Sequence, residues 1–161
     1  MPDHILKINR FYALTHWSHE EKARRQAALG LDTGKDRLEQ TEIEFYEKFI
    51  ALGQVICYIQ RPGSLPSNDF VWLSNENLEF EQKTTKARYE SIHGQIVKAS
   101  SRAAKQGVVK ENFIIDICDV PLTNQLRESL GGFNIGREKY LLNELWVMSQ
   151  GHISRVVLRT E

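Results

Sequence analysis

The chain has 161 residues, with 21 basic and 21 acidic side chains, 41% hydrophobic and 26% charged residues. That is enough chain to bury one core, and the composition is that of a globular protein rather than a disordered or fibrous one. Balanced charge provides no global field toward nucleic acid, which counts against a nonspecific DNA-coating protein and leaves such contacts to local patches.

No apolar run approaches the length of a membrane span. Met1-Pro2-Asp3-His4 lacks the charged and apolar regions of a signal peptide, so no export signal is expected in this chain. Cys57 and Cys118 lie in apolar, strand-like runs and read as small buried hydrophobes. No close Cys or His pair suggests a zinc cluster.

In chain order, residues 1–31 contain apolar but poorly patterned residues, among them Ile5, Leu6, Ile8, Phe11, Tyr12 and Trp17. Ser18-His19-Glu20-Glu21 fits a capping box and predicts a helix over about 19–29, ending at Gly30. A second helix is expected over about 34–52, stopped by Gly53. Glu42 stands three and four residues before Phe45 and Tyr46, on the apolar stripe, while Glu44 and Lys48 lie off it. A carboxylate facing a core needs a metal, a donor or water; the plainer alternative puts Glu42 at the stripe's edge, reaching solvent. Gln54–Gln60 is nearly all apolar and predicts an interior strand, followed by a turn at residues 61–64.

Asp69 opens the next predicted strand, and Leu78–Lys83 alternates apolar and charged residues with period two. Glu79, Glu81 and Lys83 therefore share one face, and Leu78 and Phe80 the other. Tyr89, Ile92, Ile96, Ala99 and Ala103 form a helical stripe closed by Gln106-Gly107, with Gln95 bordering its inner face. Asn112–Cys118 is a dense apolar strand interrupted by Asp116 and predicts a central position. Pro121 suits the first turn of a short helix over about 121–130. The glycine-rich loop at residues 131–137 does not follow a strand and open a helix, which excludes a dinucleotide fingerprint. Leu145–Ser149 and Ile153–Arg159 predict a terminal hairpin. The expected fold is α/β, a mixed central sheet flanked by helices.

Asp69 and Glu81 are hard oxygen ligands suited to Mg²⁺ or Mn²⁺, with Zn²⁺ possible. An ion held there can polarise a phosphoryl oxygen and activate a water. Lys83 can orient that water or offset charge on phosphorus, and Glu42 can act through a water. Spacing alone favours the plainer reading of the strip as a solvated strand face.

An acidic helix carrying Glu42, then Asp69, then Glu81-Gln82-Lys83 on the next strand, in αβββαβ order, resembles the PD-(D/E)XK (restriction-endonuclease-like) nuclease superfamily. The run from Asn68-Asp69-Phe70 through Thr85-Lys86-Ala87-Arg88-Tyr89 to Asn112-Phe113-Ile114-Ile115-Asp116 resembles, more narrowly, the C-terminal toxin domains of contact-dependent growth-inhibition proteins. The resemblance covers about residues 38–159. It implies a metal-dependent nuclease with catalytic Glu42, Asp69, Glu81, Lys83 and Gln95, and metal ligands Asp69 and Glu81. It implies tRNA as the target, with DNA the alternative, and a cognate immunity protein. It also implies action in the target-cell cytoplasm after delivery within a larger protein. Lys86, Arg88, Lys98, Arg102 and Lys105 can line a phosphate track; a solvated helix face is the plain alternative.

The match departs from the superfamily pattern in places. Pro66 stands three residues before Asp69 rather than next to it. Glu44 and Glu47 compete with Glu42, and Glu79 competes with Glu81. Residues 1–31 have no counterpart and read as a helical extension or linker remnant before a nuclease-like domain at 32–161. Two other classes compete with the nuclease: a non-catalytic binding module of the same fold, and, distantly, a nucleophilic hydrolase. Against the hydrolase, His4, His16, His19, His93 and His152 are scattered and no nucleophile elbow is present.

Overall fold

The structure, a computed structural model, describes residues 16–61, 63 and 66–161. The apolar residues from Ile5 to Tyr12, Pro62 and Ser64 of the predicted turn, and Leu65 after it lie outside the described residues.

The first helix, α1 (His19–Ala28), is capped by Ser18, whose hydroxyl accepts from the Glu21 N–H at 3.1 Å. It buries no residue of its own. Polar ties hold it instead. The Gln26 amide donates to Thr33 Oγ1 and to the Asp36 carbonyl, both at 2.8 Å, and its oxygen accepts from the Leu38 N–H at 2.9 Å. The Arg25 guanidinium stacks on Trp17 and pairs with Glu47 of the next helix at 3.0 Å.

That helix, α2 (Gln40–Ala51), starts later than its apolar pattern predicts. Gly34 at φ +59° and the Asp32 carboxylate, which accepts from the Gly34 N–H, turn the chain first. The helix then opens on a capping box between Glu39 and Glu42. Ile43, Phe45, Tyr46 and Phe49 form its buried stripe.

Six strands form one mixed sheet in sequential order: β1 (Ile56–Tyr58), β2 (Phe70–Trp72), β3 (Leu78–Thr84), β4 (Asn112–Asp116), β5 (Glu144–Ser149) and β6 (His152–Val156). β1, β2 and β3 are an antiparallel meander. Helix α3 (Tyr89–Ala104) carries the chain across to β4, parallel to β3, and β5 is parallel to β4. The order of elements is the expected one, and β4 is central, with every residue buried.

Three expectations are corrected. β1 is short and lies at the sheet edge, not in its interior; Val55 is 54% exposed and Cys57 is exposed rather than buried. An apolar run with no polar alternation mimics an interior strand, but β1 has a neighbour on one side only. The short helix α4 runs over Asn124–Gly131, not 121–130, because the Thr123 hydroxyl caps it by accepting from the Leu126 N–H at 3.1 Å. Pro121 precedes the cap. The β5–β6 hairpin turns on Gln150 (φ +52°) and Gly151 (φ +75°), the two left-handed residues of a type I′ turn.

The sheet separates two apolar layers. Under α2 lies an aromatic layer of Phe45, Tyr46, Phe49, Phe70, Trp72 and Phe80, with Ile114 of β4. Under α3 lies a mainly aliphatic layer that includes Ile92, Ile96, Phe113, Ile115 and Val147. In the β3–β4 register Glu81 is beside Phe113 and Lys83 beside Ile115. The charged strip therefore faces α3, and Phe80 faces α2.

Candidate functional site

Phe70 pairs with Phe80, so the antiparallel register continues to set Asp69 opposite Glu81. Both carboxylates are buried, at 7% and 3% exposure. The Asp69 N–H donates to the Phe80 carbonyl at 2.9 Å, and Asp69 Oδ2 accepts from the Gln82 N–H at 2.8 Å. This clasp fixes the Asp69 side chain against the start of the acidic strip. Among the described residues its other oxygen has only the Arg61 guanidinium, at 3.6 Å.

Glu81 is held by two ammonium groups. Lys83 Nζ is 3.2 Å from Oε1, as the shared strand face predicts. Lys110 Nζ is 2.7 Å from Oε2, with its side chain only 9% exposed. Glu79, the competing carboxylate, is exposed and accepts from the Asn68 amide at 3.1 Å.

Glu42 comes from α2, across the sheet. Its Oε1 closes the capping box by accepting from the Glu39 N–H at 3.1 Å, and its Oε2 is 3.4 Å from Arg61. Arg61 thus bridges Glu42 and Asp69 at the rim where β1 ends. Tyr46, one helical turn after Glu42 and on its face, is fully buried, and its hydroxyl has no hydrogen-bond partner among the described residues.

Charge crowding shows in the protonation of the acids. Burial first, then the negative charges of Glu81 and Glu42, push the Asp69 carboxyl up to about 7, against the opposing pull of the Gln82 N–H and Lys83. Burial also raises Glu42, partly offset by the Glu39 N–H and by Arg61. The Tyr46 phenol is raised by burial and by the nearby charge of Asp69 and Glu42. A cation beside Asp69 and Glu81 would relieve this crowding. Among the described residues no group of three or more His, Cys, Asp or Glu is gathered around one point. Two carboxylates do suit Mg²⁺, which keeps several waters and is completed by substrate oxygens.

Beside Glu81 a cleft of about 290 Å³ is lined by Lys83, Gln95, Lys98, Arg102 and Lys110, with Pro66 at its mouth. Four of these side chains are cationic, so the cleft is a local anion patch on a chain with no net charge. Gln95 is exposed and reaches the site as a wall of this cleft rather than from the inner face of α3. Lys98 and Arg102 line it; Lys86, Arg88 and Lys105 are exposed outside it, and Arg88 is the N-cap residue of α3.

Sequence reasoning missed Lys110 and Arg61. Lys110 reads as a polar loop residue, yet it enters the strand that runs parallel beside Glu81, and that register was its available signal. Arg61 sits in a turn and carried none.

No family model matches the chain, and neither do any curated proteins or solved structures.

Proposed function

We propose that the protein is a metal-dependent nuclease of PD-(D/E)XK type that hydrolyses phosphodiester bonds. The observation that carries this reading is a buried Asp69–Glu81 carboxylate pair whose Glu81 is held by Lys83 and Lys110, two of the four cations that wall a neighbouring cleft. The helix–strand–strand–strand–helix–strand order from Gln40 to Asp116 supports it.

Asp69 and Glu81 would hold Mg²⁺ or Mn²⁺, which when bound supplies Lewis-acid polarisation of a phosphoryl oxygen and a more acidic water. Glu81 already has a lysine on each oxygen. Lys110 is almost wholly buried and stays with it; Lys83 is about a third exposed and is the partner able to turn toward phosphate. From there its ammonium orients the attacking water and offsets charge on the phosphoryl group. Lys98 and Arg102 take the flanking phosphates, and Gln95 contributes a neutral hydrogen-bonding group. A cation bound there would hold Asp69 in its ionised form. The sequence resemblance to growth-inhibition toxin domains extends the proposal to RNA, with tRNA before DNA, and to an immunity protein as partner.

Incubation with total RNA, purified tRNA and plasmid DNA, with and without Mg²⁺, Mn²⁺ and Zn²⁺, tests it. Metal-dependent cleavage that EDTA stops and Glu81→Gln abolishes is the expected result. Full activity in Glu81→Gln overturns the site.

The double lysine pairing of Glu81 favours one second reading, a phosphate-binding module without catalysis. It predicts binding of the same nucleic acids and no cleavage with any metal.

A further inference from the structure

Lys110 belongs to two adjoining cavities. One is the basic cleft. The other, about 300 Å³, lies beyond it at the C-terminal end of α3 and is lined by Ala104, Val108, Val109, Tyr140 and Leu141. Its walls are fixed. Gly107, at φ +74°, ends the helix, and the Ser100 hydroxyl donates to the Lys110 carbonyl at 3.3 Å. The Asn143 N–H donates to the Glu111 carbonyl at 2.8 Å, joining the two walls at their base. The Asn134 amide binds Leu142 on both its carbonyl and its N–H, each at 2.8 Å, which holds the Tyr140–Leu141 segment. Apolar groups nonetheless face solvent here: Val109 is 71% exposed and Leu141 49%. Tyr140 sits in the left-handed region at φ +58°, uncommon for a bulky residue.

A pocket of mixed polar and apolar lining with one aromatic wall, sharing Lys110 with a cationic cleft, matches the parts of a nucleotide: a flat ring beside a phosphate. Resting on the nuclease reading above, we propose that this second pocket takes one unpaired nucleobase of the strand whose phosphate lies in the basic cleft. The enzyme then selects single-stranded or looped nucleic acid over duplex. A volume of about 300 Å³ suits a single ring system, and a base held in a duplex stack cannot enter it. Stacking on a tyrosine is tolerant of base identity, so the selectivity is for unpaired structure more than for sequence.

The test reads binding in EDTA, apart from catalysis. Fluorescence anisotropy is measured with a fluorescein-labelled unpaired RNA dodecamer and with the same strand in a duplex, for the wild type, Tyr140→Asn and Leu141→Ser. Asparagine tolerates the left-handed backbone, so Tyr140→Asn removes the ring without adding strain. The wild type should prefer the single strand, and each variant should lose about tenfold in affinity for it while duplex affinity changes less than about twofold. Equal loss on both probes, or no loss on either, overturns the pocket. So does a wild-type dimer in sedimentation that Val109→Asp dissociates, which would assign this face to a second copy of the chain. Failure of the nuclease reading has a different signature, the absence of cleavage in wild-type protein with every metal, and does not alter the binding comparison.

Discussion

Two buried aspartates, Asp116 at the end of β4 and Asp69 just before β2, differ in a way that separates scaffold from site. Asp116, at the end of β4, is 1% exposed; Lys48 Nζ lies 2.6 Å from Oδ2, and the Cys118 N–H donates to Oδ1 at 2.8 Å. One anion meets one cation and one backbone donor, and both oxygens are satisfied within the chain. Asp69 is buried too, but it faces Glu81, and among the described residues its second oxygen has only a guanidinium at 3.6 Å. The first pair is closed on itself. The second sets two carboxylates against each other, and the lysines that hold Glu81 also line a cleft. A buried ion pair alone is weak evidence of function; unbalanced charge at the mouth of a cavity is the stronger sign.

Mutation can break this comparison. Asp69→Asn and Glu81→Gln should each reduce the initial rate of cleavage at least ~100-fold, with an unchanged far-ultraviolet circular dichroism spectrum. Lys48→Met should leave the rate per folded molecule unaltered.

Titration sharpens it. The folded protein holds the Asp69 proton up to about pH 7, whereas the unfolded chain releases it near the usual carboxylate value. Folding therefore takes up a proton between about pH 4 and 7, and this group makes metal-free stability fall as pH rises through that window. Urea unfolding in EDTA should show Asp69→Asn with a flatter pH profile and higher stability than wild type at pH 8. Mg²⁺ should stabilise the wild type and not the variant. An unchanged profile in Asp69→Asn removes the charge-crowding account.

On the closed side, Lys48→Met leaves Asp116 buried without its cation and should destabilise the fold by about 3 kcal/mol, read from the same urea curves. The smallest effects belong to the cleft walls. Lys98→Ala or Arg102→Ala should weaken nucleic-acid binding severalfold and lower the salt slope by roughly one unit each. Lys86→Ala and Lys105→Ala should change affinity less than about twofold, because those side chains lie outside the cleft.

Much of this architecture was legible because local rules and the global fold agree. Ser18 caps where a cap is expected, Leu78–Lys83 alternates because one face meets Phe113 and the other the α2 aromatics, and Gln150-Gly151 turns the hairpin. Asp69, Glu81 and Lys83 could be paired in advance because they sit on adjacent strands joined by a short turn. What was not legible depended on long-range packing. Nothing local distinguishes the edge strand β1 from an interior one. Glu42 does reach the site's rim, but by a helix-capping geometry that an apolar stripe does not describe. Lys110 required the parallel register of β4, and Tyr46 reads as ordinary core until its hydroxyl is found without a partner among the described residues.

The crossover between β3 and β4 also has a kinetic consequence. The Asp69–Gln82 clasp closes within one hairpin, across a separation of 13 residues, whereas the Lys110–Glu81 contact spans 29 and waits for α3 to be laid down. Shorter loops close at lower entropic cost. As the chain emerges from synthesis, Glu81 therefore has Lys83 beside it well before Lys110 arrives. Chains interrupted within α3, with Glu81 still lacking Lys110, should be the species most in need of protection from misassembly.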